Sequence, residues 1–163
     1  NKRRQSCERA AAAIAGNHPE VKLLGDATLE MLEEVKDKIS EEDYMRATYA
    51  IQENSRLADT CEALKRGDYE TEGENIYAAH QGMSKVYKVS TEELDFLNDV
   101  AKECGVTGSR IMGGGFGGCT INLVKDAYYD RFIETAISRF KTKFGKEPKV
   151  YPVTISDGAR KLN

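Results

Sequence analysis

The chain has 163 residues, of which 40% are hydrophobic and 31% charged, so it can bury a core of ordinary size. Its formal net charge is -3, with 24 basic and 27 acidic residues interspersed along the sequence. This balance excludes the basic surface of a nucleic-acid-binding protein, and no apolar run reaches the length of a membrane span. We therefore expect a globular domain whose partners are neither nucleic acids nor membranes.

The first two-thirds of the chain has the pattern of consecutive helices, because apolar residues recur at helical spacing. Capping residues and glycines separate these helices. We place them at residues 2–15, at residues 27–39, from the Ser40 cap to about Arg66, from the Asp68 cap to about Lys85, and from the Ser90–Glu93 capping box to Gly105. In the third helix we expect Leu57, Cys61 and Leu64 to face the core.

The pattern changes after Gly105. Two short runs with strand character, Ser109–Met112 and Cys119–Val124, precede a helix that begins at Asp126 and ends at Gly145. The two strands therefore flank a single loop.

A last strand is predicted where Tyr151, Val153 and Ile155 alternate, at an edge of the sheet because Pro152 has no backbone N–H. This order of elements predicts an α+β fold, with helices packed on one side of a small, mainly antiparallel sheet. We expect residues 1–163 to form one domain.

The cysteines and histidines give no sign of a metal site, since they are far apart and form neither a C-x-x-C pair nor an H-E-x-x-H motif. They are Cys7, Cys61, Cys104, Cys119, His18 and His80. Reduced thiols are the expected state, which indicates a cytoplasmic protein.

The most unusual segment is the glycine loop, Gly113–Gly118, in which five of six residues are glycine. Glycine permits positive φ and lets backbone N–H groups approach a ligand closely, so such a run suits the binding of an anion such as phosphate. The alternative is a tight hairpin turn, although hairpins usually need only one or two glycines.

Three familiar glycine-rich motifs do not fit the glycine loop. Its G-x-G-x-x-G pattern is followed by a strand, whereas the dinucleotide-binding motif requires a helix. The other motifs of protein kinases are missing, and no Gly-Lys-Ser/Thr closes a Walker loop.

The segment Val106–Met112, the glycine loop and Cys119-Thr120 together resemble the third conserved motif of galactokinases in the GHMP kinase superfamily. The resemblance covers nearly the whole chain and weakens between residues 17 and 75, where Glu72 occupies a position at which we expect an aromatic residue. Its further matches are His80, Tyr87–Ser90, Glu93–Asp95, Arg3-Arg4 with Cys7-Glu8, and Asp157–Ala159.

This resemblance implies the ferredoxin-like C-terminal domain of a GHMP kinase. It also implies transfer of the γ-phosphoryl group of ATP, with Mg²⁺, to the anomeric hydroxyl of galactose. In the family, the catalytic aspartate, the magnesium ligands and the sugar-binding segment belong to the N-terminal half. We therefore expect a piece of a longer protein that contains no catalytic residue or metal ligand, binds no cofactor alone, and has the N-terminal GHMP domain as its partner.

The resemblance also implies which residues face the active site. The phosphate-facing candidates are Gly113, Gly114, Gly115, Phe116, Gly117 and Gly118. The residue types beside the loop add Ser109, Arg110 and Thr120 as candidates for the cleft, and the alternatives are an ion pair for Arg110 and packing on the strand face for Ser109 and Thr120. A side chain at Gly115 is expected to lower turnover without disturbing the fold. For His80 and Tyr87 we expect structural hydrogen bonding.

Three alternatives remain open at the level of the sequence. The parent protein could be a kinase for N-acetylgalactosamine or another sugar, or a non-catalytic relative that senses galactose and ATP. The chain could also be a separate module that binds an anion through the glycine loop.

Overall fold

The structure, a computed structural model, describes residues 2–154. In chain order its regular elements are α1 (Lys2–Ala15), α2 (Leu29–Glu33), α3 (Glu41–Arg66), α4 (Tyr69–Gln81), α5 (Glu92–Glu103), β1 (Gly108–Ile111), β2 (Thr120–Leu123) and α6 (Asp126–Phe144). Short 3-10 helices lie at Leu24–Asp26 and Lys36–Lys38. A π-helical turn, Gly82–Val86, continues α4.

The predicted caps of α3 and α4 are confirmed, whereas α5 is capped by Thr91, one residue after the predicted Ser90. Ser40, Asp68 and Thr91 each accept a hydrogen bond from the backbone N–H three residues further along. These bonds satisfy N–H groups that have no partner inside the helix. Gly67 ends α3 in the left-handed conformation, with φ 68°.

The predicted helix over residues 27–39 is interrupted. It consists of α2 and the turn Lys36–Lys38, because Val35 leaves the helical region at φ -112° and ψ 9°. Leu32 and Val35 are both fully buried, so the chain follows the packing of these two side chains rather than a continuous helical path.

The prediction for the late half of α3 is wrong. Leu57 and Leu64 are 64% and 47% exposed, and Cys61 is exposed as well. Ala63 is the buried residue in this part of the helix. No element within residues 2–154 covers the stripe, so its helical spacing does not correspond to burial in the described part of the chain.

The predicted last strand is not found in the described part of the chain. Residues 147–154 have no regular secondary structure, and Tyr151 and Val153 are 68% and 81% exposed. Pro148 and Pro152 lack the N–H that a strand would donate. Ile155 and the Asp157–Ala159 segment lie outside the described residues.

The sheet is an antiparallel pair in which Gly108 lies opposite Leu123 and Ile111 opposite Thr120. Both α4 and α5 pack against β1, and α6 packs against α5. The predicted α+β fold, with helices on a small antiparallel sheet, is confirmed.

The crossing of α4 and β1 depends on two glycines in contact. A Cβ atom at Gly73 would lie 2.7 Å from the carbonyl carbon of Thr107, and one at Gly108 would lie 2.9 Å from Cα of Gly73. Real Cβ atoms do not approach backbone so closely, so only glycine allows this helix and strand to meet. The contact fixes β1, which leads directly into the glycine loop.

Polar contacts join α1 to α3. The guanidinium of Arg9 donates two hydrogen bonds to the carboxylate of Asp43, at 2.8 and 2.7 Å, and Arg46 donates to Ser6 Oγ at 2.9 Å. The charge-assisted pair holds the pKa of Asp43 well below its usual range. These bonds set the position of α1 on the rest of the fold.

Three clusters of buried apolar side chains form the core. One lies among α1, α2 and α3, and another lies between α5 and α6. The third joins the helices to β1 next to the glycine loop, and its buried residues are Tyr49, Met83, Val89, Leu94 and Ile111. Within residues 2–154, none of the helices has the length and apolar character that crossing a membrane requires.

We expect Gly73→Ala to destabilise the fold, although alanine is the better helix former by about 1 kcal/mol. The new methyl group meets backbone, which cannot rotate away, so the cost of overpacking is about 2 kcal/mol after this gain. For a domain of this size, that corresponds to a fall in Tm of about 4–8 °C, measured by thermal unfolding.

Glu74→Ala, at the exposed neighbouring position on α4, is the matched control and is expected to leave Tm nearly unchanged. An equal Tm for Gly73→Ala and Glu74→Ala would contradict the glycine contact.

Candidate functional site

The glycine loop connects β1 to β2 with a backbone that few other residues could adopt. Met112 donates a hydrogen bond to the carbonyl of Cys119 at 3.0 Å, which closes the hairpin at its base. Inside the loop, φ is positive at Gly113, Gly115, Phe116, Gly117 and Gly118. Four of the five glycines in the loop have positive φ, which accounts for most of its glycine content.

The surroundings of the loop differ between its glycines. A Cβ atom at Gly113, Gly114, Gly117 or Gly118 would meet no atom within 4 Å, whereas one at Gly115 would meet the backbone of Val89. Gly115 is therefore the point at which the loop packs on the body of the protein. A side chain there would disturb the loop itself, so the expectation of an undisturbed fold is wrong.

The open glycines leave backbone donors available. The N–H groups of Gly113, Gly114, Gly117 and Gly118 have no hydrogen-bond acceptor among residues 2–154. Backbone amides without an acceptor at the turn of a hairpin can bind an anion, since each contributes a partial positive charge without a side chain in the way. The geometry therefore suits phosphate.

Phe116 is held by its backbone and exposed through its side chain. It adopts φ 61°, and its N–H donates to the carbonyl of Val89. The ring is 66% exposed and lies under the guanidinium of Arg3, whose Cζ is 4.8 Å from the ring centroid. Arg3 also donates hydrogen bonds to the backbone carbonyls of Tyr87 and Lys88.

Sequence reasoning missed the contact of Arg3 with the loop. Arg3 was identified only as part of a family motif, and it is separated by 84 residues from its carbonyl partner Tyr87. No spacing rule connects residues that are so far apart along the chain, and the fold alone brings them together.

The three residues predicted beside the cleft differ in their exposure. Ser109 is fully buried and its Oγ has no hydrogen-bond partner, so its hydroxyl does not face a ligand at the surface. Arg110 is half-buried and donates to the Ile111 carbonyl at 3.2 Å. Thr120, also half-buried, accepts a hydrogen bond from Asn122 at 3.1 Å. For Arg110 and Thr120, a role in the cleft stays a prediction.

His80 has the expected structural role. It is 1% exposed, and its Nε2 lies 3.1 Å from Oδ1 of Asp95. Asp95 also accepts hydrogen bonds from Ser84, at 2.8 Å, and from Ser90. The carboxylate thus ties the end of α4 and residues 84–90 to α5, and so supports the segment on which the loop packs.

The pKa values of both groups are lowered, that of His80 by burial and that of Asp95 by its partners. Burial lowers the pKa of His80 below the ordinary 6.5, despite the nearby carboxylate of Asp95. Burial alone would raise the pKa of Asp95, but the hydroxyls of Ser90 and Ser84 and the charge of Lys85 lower it below its usual range. His80 is therefore neutral and Asp95 ionised near neutral pH.

Tyr87 also has the expected structural role. Its ring centroid lies 5.2 Å from that of Tyr49, and its hydroxyl is 3.8 Å from Sγ of Cys7. Burial raises its pKa, so the phenol is neutral. These contacts hold Tyr87 next to the carbonyls to which Arg3 donates.

Glu72 is half-buried at the position where an aromatic residue was expected. Its Oε2 atom is buried without a hydrogen-bond partner, and burial raises the pKa of the carboxyl. A carboxyl in such surroundings is consistent with a position that would also accommodate an apolar side chain.

We expect Gly115→Ala to release the glycine loop from Val89. The added methyl group would lie 2.7 Å from Cβ of Val89 and meet its backbone, at a residue whose φ is already +81°. The hydrogen bond from the Phe116 N–H to Val89 should then open more often, so hydrogen exchange at the Phe116 amide should accelerate about tenfold or more.

Gly114→Ala is the matched control, because its methyl group enters open space at a residue without positive φ. It should leave exchange at Phe116 unchanged. Equal exchange rates in the two variants would contradict the proposed anchor.

The depressed pKa of His80 predicts a stability that falls on acidification. Below about pH 6.5 the unfolded chain binds a proton at this residue and the folded chain does not, so unfolding becomes more favourable as the pH falls. We expect Tm to fall between about pH 7.5 and about pH 5.5, and to fall less in His80→Gln.

His18→Gln is the control with the opposite sign, because its hydrogen bond to Glu34 raises the pKa of His18. The Tm of that variant should fall further on acidification than the Tm of the parent. A pH slope of His80→Gln equal to that of the parent would exclude His80 as the cause.

Comparison with known proteins shows a matching family model and related sequences. A family model described as GHMP kinases C terminal matches residues 60–142, which include α4, α5, the glycine loop and most of α6. The galactokinases of Fusobacterium nucleatum and Clostridium beijerinckii are 39% and 40% identical to this chain, and each alignment covers 99% of this chain.

A solved structure agrees with these relatives. The structure of the galactokinase of Lactococcus lactis, complexed with galactose, superposes on this chain with a TM-score of 0.81 and 29% sequence identity. The superposition covers 90% of this chain and 38% of the Lactococcus lactis chain. The chain spans 42% of the length of the two relatives above. Because the family model covers half of the chain and these likenesses extend over nearly all of it, the chain belongs to the GHMP kinases C terminal family.

Proposed function

We propose that this chain is the C-terminal domain of a galactokinase, an enzyme that transfers the γ-phosphoryl group of ATP to the anomeric hydroxyl of galactose. The observation that carries the proposal is the alignment of 99% of the chain with galactokinases at 39% and 40% identity. The galactose bound to the Lactococcus lactis relative supports the choice of sugar. We place the protein in the cytoplasm.

In this proposal the glycine loop forms one wall of the phosphoryl-transfer site. The reaction depends on positioning and on stabilising charge, with little covalent chemistry for the protein to perform. Loop N–H groups that have no acceptor among residues 2–154 would stabilise negative charge on the transferring group without having to reorganise. Gly113, Gly114, Gly117 and Gly118 would supply them.

The described residues do not fit a magnesium site. Within residues 2–154 there is no group of three or more His, Cys, Asp or Glu side chains that could hold a metal ion. We therefore assign no step of the reaction to a metal held by this chain. The catalytic aspartate, the metal ligands and the sugar-binding residues belong, in this proposal, to an N-terminal domain of the same polypeptide.

The first test is ADP release by the whole protein that contains this chain, with Mg-ATP and a panel of sugars. Turnover that depends on galactose is the expected result. Turnover that depends on N-acetylgalactosamine instead would replace the proposed sugar. Tight binding of galactose and ATP without turnover would indicate that the protein is a sensor and not an enzyme.

A second test addresses the glycine loop. A Cβ atom at Gly114 meets no atom of residues 2–154 within 4 Å, so Gly114→Val should fold normally and fill the space proposed for the phosphoryl group. We expect kcat of the whole protein to fall about tenfold or more, because displacement of reacting groups by about 1 Å is sufficient for such a loss.

Gly25→Val, in the Leu24–Asp26 turn, is the matched control, since a Cβ atom there makes an ordinary contact at 3.6 Å. Its kcat should equal that of the parent. Normal turnover in Gly114→Val would show that the loop does not face the reacting group.

A further inference from the structure

Backbone strain in this protein is concentrated at one place. Within residues 2–154, the non-glycine residues with positive φ are Lys88, at 53°, and Phe116, at 61°. Such conformations are costly for residues with a side chain and persist only where the surrounding contacts enforce them. The two residues lie on different segments, yet both contact Arg3.

Arg3 contacts the two strained residues through different parts of its guanidinium. The N–H groups at its edge donate to the carbonyls of Tyr87 and Lys88, and its face lies 4.8 Å from the centroid of the Phe116 ring. A planar guanidinium can donate at its edge and stack with its face at the same time, and an ammonium group cannot.

The segment that accepts the hydrogen bonds of Arg3 also holds the glycine loop, because within residues 2–154 Phe116 is the loop residue whose N–H donates to the backbone outside the loop. Val89, which follows Lys88, accepts the N–H of Phe116 and packs against Gly115. We call the set of Arg3, Tyr87–Val89 and Gly115-Phe116 the loop joint. Residues from three distant parts of the sequence meet there.

We propose that Arg3 is a positioning residue that sets the conformation of the glycine loop, and with it the directions of the free loop amides. Its effect on catalysis rests on the function proposed above. Its effect on the conformation of the loop is independent of that function. Arg3 stands at the start of α1, whose position the bonds of Arg9 and Arg46 already fix, so the guanidinium is anchored from a rigid helix.

The neighbouring Arg4 provides an internal comparison. Its side chain is 82% exposed, and its ion pair is with Glu8 on the same helix, at 2.7 Å. Arg4 therefore has the same charge and nearly the same place in the sequence without touching the loop joint. It serves as the matched control.

The kinetic experiment compares Arg3→Lys with Arg4→Lys in the whole protein. Arg3→Lys retains the charge and loses the combination of edge and face contacts, so we expect kcat to fall about tenfold or more while KM for galactose changes less than about twofold. Arg4→Lys should leave both constants unchanged. Tm is measured for both variants, because a variant that has lost kcat through partial unfolding would also show a lower Tm.

A spectroscopic experiment reads the loop without using activity. 4-Fluorophenylalanine placed at position 116 gives a ¹⁹F resonance that reports the contact of the ring with Arg3. We expect this resonance to shift and broaden in Arg3→Lys and to stay unchanged in Arg4→Lys. Should Arg3→Lys fail to fold, Phe116→Leu removes the same contact at an exposed side chain and should lower kcat about tenfold.

The outcomes separate the two proposals. A changed ¹⁹F signal in a protein that does not phosphorylate galactose supports Arg3 as the positioning residue and overturns the galactokinase assignment. An unchanged signal and unchanged kcat in folded Arg3→Lys overturn the role of Arg3, whatever the enzyme does. If Arg3→Lys does not fold, normal kcat in Phe116→Leu overturns it.

Discussion

The contact between Gly73 of α4 and Gly108 of β1 is the constraint on which the candidate site depends. A helix and a strand can approach this closely only where neither has a side chain in the way. The contact fixes β1, and β1 pairs with β2 over four residues each. Both ends of the glycine loop are therefore held by a hairpin that the helices position.

Rigid support and an open surface are combined in the loop. Gly115 packs on Val89, whereas Gly113, Gly114, Gly117 and Gly118 have open space around them. The half-buried carboxylate of Asp95 ties the end of α4 and residues 84–90, the segment that leads into Val89, to α5 through His80, Ser84 and Ser90. A loop that is fixed at its base and free at its tip can hold backbone donors in place for a ligand that arrives from outside the chain.

Local signals predicted the elements that local physics controls. The caps at Ser40 and Asp68 and the glycine at the end of α3 were predicted correctly, because a cap is a bond between residues three positions apart. Burial was predicted less well. Leu57, Cys61 and Leu64 have helical spacing and are exposed, since spacing defines a face of a helix and does not say what covers it.

The sequence by itself determined most of the helices, the hairpin, the glycine loop and, through its motifs, the family to which the chain belongs. Only the tertiary structure decided that Gly115 is the anchor of the loop, that the Ser109 hydroxyl is buried, and that Arg3 reaches Phe116. The physical reason is the separation along the chain over which each kind of interaction acts. Capping and turn formation act over a few residues, whereas Arg3 and Tyr87 are 84 positions apart and meet only after α1 and α4 have both packed on α3.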